Sequence, residues 1–483
     1  MYKTYTIPMR NLIKKLLILP IFLLFPPLFG QPYSTGAILD PVRYEQTAAK
    51  PVLVARNYSS LPRSVSLKQY SPIPENQGQY GTCVGWSTAY AARTISESIA
   101  MNRTDRTETS NNVFSPYFVY IGHYLLRDVI PTGHEGAIIP WVLDYMMDEG
   151  AVKRPAFERT TDFPLIMLSA FADSRRYPIA DYVRLFSNSG VPGTINERVP
   201  PVKKSLSEGK PVIIGMNMPY PRPSSFDIAR NIWQPTERPD EVQSGHAMCV
   251  VGYDDDMGGG AFEIQNSWGT RWGNEGYIWI RYSDFAAFVD EAYEIIEHLA
   301  LYRDAARYAA SIEIDVYNNR AGMPVTFDRQ GFYKTNSSYP SGTDFHFLMT
   351  NRYPAYVYAF AADSSTTDIT RIFPLRGVSP VLDYTDSTIA WPGEYDWIRL
   401  DNTTGTDYLV VLYSKEALDI EAIERRFAAE RGTFPERVAR AVGSNFIPYS
   451  GAQYNNSAIE FSAVSTNPRA VFGLLLAIDH HAR

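Results

Sequence analysis

Cysteine is nearly absent from this chain. Only Cys83 and Cys249 occur in 483 residues, too few for a fold stapled by several disulfides. A basic stripe is also missing, and the formal net charge of -7 argues against a nucleic-acid partner. There is no run of like charge long enough to form a tail, no internal repeat and no low-complexity tract. The apolar run from Leu16 to Phe29 falls short of the roughly 20 residues a spanning helix needs, and Pro26-Pro27 would break one. Lys3, Arg10, Lys14 and Lys15 precede that run and Gly30 ends it, the order of a secretory signal. Residues 1–30 are therefore expected to be removed on export, to a periplasmic, cell-surface or secreted location with no membrane span left. Leu28 departs from the small residue expected three places before the cut, and a retained anchor is the alternative. No cysteine lies near the cut to carry a lipid.

What is present describes a globular protein, 45% hydrophobic and 20% charged, too long for one ordinary core. Its 33 tyrosines suit half-buried strands. Residues 31–60 read as a short, loosely structured leader or linker. From 61 to about 302, helical signals precede strand signals. Helices are expected from Cys83 to Ile95, from Ile138 to Glu149 before Gly150, and from Val202 to Glu208 before Gly209. Strands are expected at Val212–Met216, His246–Tyr253, Ala261–Gln265 and Tyr277–Tyr282. That order describes an α+β arrangement. Residues 313–483 read as a separate β-rich domain, with strands such as Ala355–Phe360 and Asp407–Tyr413 and helices at Asp419–Glu430 and Phe434–Val442.

Four residues carry the chemistry: Gln77, Cys83, His246 and Asn266. A free cysteine, with pKa near ~8.5, is mostly protonated at neutral pH, while the nucleophile is the thiolate. Cys83 follows the loop Asn76-Gln77-Gly78-Gln79-Tyr80-Gly81-Thr82 and opens a helical stretch. A helix N-terminus supplies roughly half a positive charge, and a facing imidazolium stabilises the thiolate further. His246 suits that second role and general acid–base work, Asn266 the orienting of its ring, and Gln77 the binding of an oxyanion beside the Cys83 amide. In a strand His246 and Met248 share one face and Cys249 the other, so Cys249 reads as a core residue; a Cys83–Cys249 disulfide is the disfavoured alternative. Asp254-Asp255-Asp256 before Gly258-Gly259-Gly260 reads as a hairpin loop and lacks the calcium-loop spacing, so no metal or other cofactor is expected. His123, His298, His346, His480 and His481 have no partner motif and read as structural or surface residues.

Gln77 to Ala89, His246 to Asp254 and Gln265 to Tyr277 resemble the three signature blocks of the papain-like cysteine peptidases, of a bacterial, disulfide-poor type. The resemblance covers about Leu61 to Ala300. It implies a two-lobed fold, helical and β-barrel-like, with a cleft between the lobes. It also implies Cys83 as nucleophile, His246 as acid and base, Asn266 as orienting residue, Gln77 as oxyanion donor, and Trp268 as shield of the His–Asn bond and part of the substrate cleft. Gly136, in His134-Glu135-Gly136, resembles the glycine of the strand that pairs with substrate backbone; a turn before a helix is the equal alternative. Peptide or protein substrates follow from the same resemblance. Tyr80 replaces a cysteine common in the family, and Val84-Gly85-Trp86 replaces the familiar Trp-Ala-Phe. With only residues 31–60 ahead of Leu61, zymogen control of the usual kind is not expected. Tyr356 to Phe360, Arg371-Ile372-Phe373-Pro374, Trp391-Pro392-Gly393 and Ser414 to Leu418 resemble, more weakly, a bacterial accessory module of unknown function and unknown ligand; no catalytic constellation is legible there. The rival reading is an inactive surface or binding protein whose β-rich domain carries the function.

Overall fold

The computed structural model describes residues 33–157, 176–188, 193–219, 223–297, 305–319, 322–328, 331–363 and 369–483. The expected signal segment and His298 lie outside the described residues. Tyr33–Arg483 forms one compact unit. Among the described residues, no helix is long and apolar enough to cross a membrane.

The first half pairs helices with an antiparallel sheet, as helices-then-strands predicts. Its first long helix begins at Cys83, passes through a π-helical stretch at Trp86–Arg93, and ends at Ala100, five residues beyond the expected stop. Every residue from Cys83 to Arg93 is buried, because this helix runs through the middle of the helical lobe. Pro116–Leu125 crosses it at Gly85, where a Cβ would lie 2.2 Å from the Pro116 carbonyl oxygen. Only glycine admits that approach. Ile139–Asp148 packs beside it, and Gly122 leaves room for the Tyr145 ring.

The sheet contains β1 (Ser64–Ser66), β2 (Asp181–Arg184), β3 (Val212–Pro219), β4 (Ile232–Trp233), β5 (Val242–Asp254), β6 (Ala261–Gln265), β7 (Tyr277–Arg281) and β8 (Val289–Ile296). The strand order is β2-β8-β3-β5-β6-β7-β4, with β1 added to β5, and only β4–β7 is parallel. The helix expected at Val202–Glu208 is longer, Ile195–Ser207, because Thr194 and Glu197 form a reciprocal cap seven residues earlier.

Among the described residues, the second half is a pair of stacked sheets with two α-helices. One sheet runs through Val471–His481, Gly405–Ser414 and Ala355–Asp363; the other through Asp344–Asn351, Ala306–Val316 and Ile459–Ser465. Two-residue alternation assigns the side chains. Val357, Ala359, Leu409 and Val411 face the core between the sheets. Tyr358, Phe360, Val410 and Leu412 face Ile420–Ala429 and Phe434–Val442 on the outer side. Strands covered on both faces read as near-continuous apolar runs, which is why they are visible in the sequence. Val183 and Ile296 join that outer core, so β2 and β8 pack against the β-rich half.

The leader departs from expectation. Instead of being loosely structured, it carries a helix at Pro41–Gln46, with Tyr44 fully buried, and backbone bridges at Ala37, Ala49 and Leu53. These are isolated backbone pairings, and hydropathy does not reveal them.

Candidate active site

The loop before Cys83 is held by backbone contacts that demand glycine. Gly78 has φ +71°, and the Gly81 amide donates to the Gly133 carbonyl at 2.8 Å. A Cβ on Gly81 would sit 2.5 Å from the Glu135 carbonyl oxygen. This loop delivers a fully buried Cys83 to the first turn of its helix. The Ala247 amide donates to Cys83 Sγ at 3.5 Å, so β5 and the helix meet at the sulfur. Burial pushes the thiol up to about 12, against the opposing pull of amides from Ala247, Val84 and Ala37. Cys83 and Cys249 are both free thiols, and Cys249 is buried in the sheet.

His246 precedes Ala247 on β5, and its Nε2 lies 2.8 Å from Asn266 Oδ1, just past the end of β6. The Trp268 ring stacks on the imidazole at 4.8 Å between centroids, with 21° between planes. Gln77 is fully buried beside them. Its amide nitrogen donates to the Tyr80 carbonyl at 2.7 Å and its oxygen accepts from Ser267 Oγ at 2.6 Å. The Gln77–Ser267 pair thus ties the nucleophile loop to the asparagine strand, a linkage sequence reasoning did not identify.

Tyr33–Leu39 occupies the cleft. Ala37 bridges Gly245 in antiparallel fashion and Ala137 in parallel. The Ala37 amide donates to Gly245 O at 3.1 Å, Ile38 N to Ala137 O at 2.9 Å, and Ala137 N to Gly36 O at 2.7 Å. Tyr33 stacks on Trp268 at 4.8 Å, and Trp268 Nε1 donates to the Ser34 carbonyl at 2.8 Å. A Cβ on Gly36 would lie 2.3 Å from the Gly81 carbonyl oxygen, and one on Gly136 would lie 2.8 Å from the Gly36 oxygen. A stretch this short reaches the cleft, with Gly36 and Ala37 at the closest approach to Gly81 and Ala137.

Below the segment, Leu39 packs against Gly215 and Gly245, and Asp40 N donates to Glu291 Oε1 at 2.9 Å. Burial pushes Glu291 up to about 7, while the Tyr293 hydroxyl and Asp40 amide pull it down. Sequence reasoning did not single out Glu291, which lies in the apolar strand β8 with no motif around it.

The structure gathers Cys83, His246, Asn266, Gln77, Trp268 and Gly136 around one cleft. The acidic loop after β5 is a hairpin turn in which Asp255 accepts from Lys203 and Tyr282, and Asp256 pairs with Arg63. His123 is buried, bonded through Nδ1 to the Tyr120 carbonyl, and held down to about 4 by burial. His480, which carries no partner motif in the sequence, is buried: Ser341 Oγ lies 2.9 Å from its Nε2, and Asp407 Oδ2 lies 3.2 Å from its Nδ1.

Residues 187–294 match the family model described as papain family cysteine protease. This stretch is similar to the papain family. It contains His246, Asn266 and Trp268, while Cys83 and Gln77 lie upstream. The chain is 22% identical over 251 residues to cysteine protease XCP2 of Arabidopsis thaliana, covering 50% of this chain and 61% of that protein. It is 31% identical over 87 residues to an uncharacterized peptidase C1-like protein of Acanthamoeba polyphaga mimivirus, 18% of this chain and 27% of that protein. Among solved structures it is similar to xylellain, a cysteine protease from Xylella fastidiosa, at TM-score 0.42 and 19% identity, over 57% of this chain and 99% of that one. The chain thus spans less than two thirds of the length of the Arabidopsis relative.

Proposed function

We propose that this chain is an exported cysteine peptidase that hydrolyses peptide bonds through Cys83, His246 and Asn266, and that Tyr33–Leu39 closes its cleft until displaced. The observation that carries this reading is the backbone pairing of Ala37 with Gly245 and Ala137 above Cys83. A groove that pairs an extended strand on both sides, with a thiol at its floor, is built for peptide backbone.

With the segment gone, water reaches the cleft and the desolvation that holds the thiol neutral falls away. The Cys83 thiol passes its proton to His246, and the thiolate attacks the carbonyl carbon of the substrate. The resulting oxyanion is met by the Cys83 amide and the Gln77 side-chain N–H, each such donor contributing roughly 3 kcal/mol in the transition state. His246 then protonates the leaving amine, the C–N bond breaks, and a thioester remains on Cys83. Water, deprotonated by His246, attacks the thioester and releases the acid, restoring the thiol. Asn266 Oδ1 at His246 Nε2 fixes the orientation of the ring, and the stacked Trp268 excludes water from that bond. Export rests on the basic-then-apolar order of residues 3–30.

The test is a peptide-library digest with the full chain and with Cys83→Ala. Cleavage by the first and none by the second supports the reading. Equal profiles would favour a binding protein, and amide products formed with an added amine would favour transfer over hydrolysis.

A further inference from the structure

The leader has two halves with two hosts. Tyr33–Leu39 lies in the cleft, and Ala49–Asn57 lies along the β-rich half, with Ala49 and Lys50 also paired to Arg184 of β2. Ala49 bridges Arg184 and Val378 at once: its amide donates to Gly377 O at 2.7 Å and its carbonyl accepts from Ser379 N at 2.9 Å. Tyr384 donates its hydroxyl to Pro51 O at 3.0 Å. Leu53 bridges Ile389 and is 2% exposed, buried in the core between the two stacked sheets. Beyond it, Val54 N donates to Thr388 O at 3.0 Å, Ala55 N to Glu394 Oε2 at 2.9 Å, and Thr388 N to Asn57 Oδ1 at 3.1 Å.

Charge reinforces the strand. Lys50 Nζ lies 2.5 Å from Glu294 on β8 and 3.3 Å from Asp383 in the β-rich half. Lys210, just after the helix Ile195–Ser207, reaches the same carboxylates at 3.5 and 2.6 Å. Two lysines and two acids from three parts of the chain thus share one buried cluster, and removing one member strands an opposite charge. Between the halves lies the helix Pro41–Gln46, fixed to the helical lobe by Arg43 and Asp144 at 2.8 Å. It acts as a short strut.

We propose that the β-rich half is an anchor whose ligand is the leader's own Ala49–Asn57, and that this grip keeps Tyr33–Leu39 seated in the cleft. A seven-residue strand with Thr35, Gly36 and Ala37 at its centre has few side chains with which to hold a groove. Fixed about ten residues away, it is presented at the millimolar effective concentration that short tethers provide. Loosening the anchor lets the cleft segment leave without any change at the cleft itself.

The inference rests on the closed-cleft reading above, and its test needs no catalysis. Amide hydrogen exchange and iodoacetamide labelling of Cys83 are followed in the full chain, wild type and Leu53→Ala. Exchange at Gly36–Ile38 is expected to rise about tenfold together with that at Ala49–Val54, with Cys83 labelling rising by a similar factor. Unchanged exchange in Val471–His481 certifies an intact β-rich core. Should Leu53→Ala disturb that core, Glu394→Ala, which removes only the acceptor of the Ala55 amide, is expected to give about a threefold rise at Gly36–Ile38. Wild-type exchange at Gly36–Ile38 and wild-type labelling of Cys83 in the intact variant overturn the anchor. Faster labelling without peptide cleavage leaves the anchor standing and removes the peptidase reading instead.

Discussion

Two arrays in this molecule join a nucleophilic side chain, a histidine and a polar third residue. In the first half, Cys83 meets β5 beside His246, whose Nε2 is paired with Asn266. In the second, Ser341 Oγ lies 2.9 Å from His480 Nε2 and Asp407 Oδ2 lies 3.2 Å from His480 Nδ1, the same order of residue types. What differs is everything around them. Cys83 opens a long buried helix at the foot of a groove that pairs an extended strand on both sides. Ser341 follows a two-residue strand, its amide donates to His481 O at 2.9 Å, and the Gly342 amide donates to Leu400 O at 2.8 Å. The amides that would have to receive an oxyanion are consumed by chain pairing. Connectivity alone therefore does not make a reaction centre; a helix start, a groove and backbone donors must accompany it.

Breaking that comparison begins with its largest effect. Cys83→Ala should lower peptide cleavage by about 10⁴-fold or more, whereas Ser341→Ala should leave it at wild-type rate, both read with one fluorogenic peptide. Labelling of Ser341 by a fluorophosphonate would contradict the contrast. Next, Gly36→Val places a Cβ where the Gly81 carbonyl stands and should expel the cleft segment, raising Cys83 alkylation on the order of 100-fold. Alkylation at the wild-type rate would mean the segment does not guard the thiol.

Glu291 sharpens the comparison through pH. Its carboxyl is raised from 4.5 to about 7, so the folded state holds this proton where the unfolded chain has lost it. The associated stability is present below 4.5 and is lost as pH rises through about 7. Glu291→Gln should flatten that loss, on the order of 3 kcal/mol between those limits, in chemical-denaturation midpoints taken across the range. The smallest effect belongs to the second array. Ser341→Ala removes one buried partner of His480 and should cost about 1 kcal/mol of stability.

The parts of the site legible in the sequence are those that depend on local patterns. The Gly-punctuated loop announces Cys83, the β-branched run announces the strand of His246, and Asn266-Ser267-Trp268-Gly269 follows it in order. What stayed hidden depends on long-range backbone pairing. Tyr33–Leu39 has no hydropathic period, and its seat is set by Gly245 and Ala137, which carry no chemistry of their own. Lys50 stands in no motif, and its partners Glu294 and Asp383 lie far away in the chain. Ser341, His480 and Asp407 are far apart in the chain and meet only because Tyr339 and Gly405 both pair with His480 in the sheet.

The most direct measurement is the rate of iodoacetamide labelling at Cys83 against Cys249 near pH 6, after the cleft segment has been released. Labelling should be fast at Cys83, slow at buried Cys249, and lost at Cys83 in His246→Ala, because the imidazolium sustains the thiolate. Equal, sluggish labelling of both sulfurs, untouched by His246→Ala, would contradict the account.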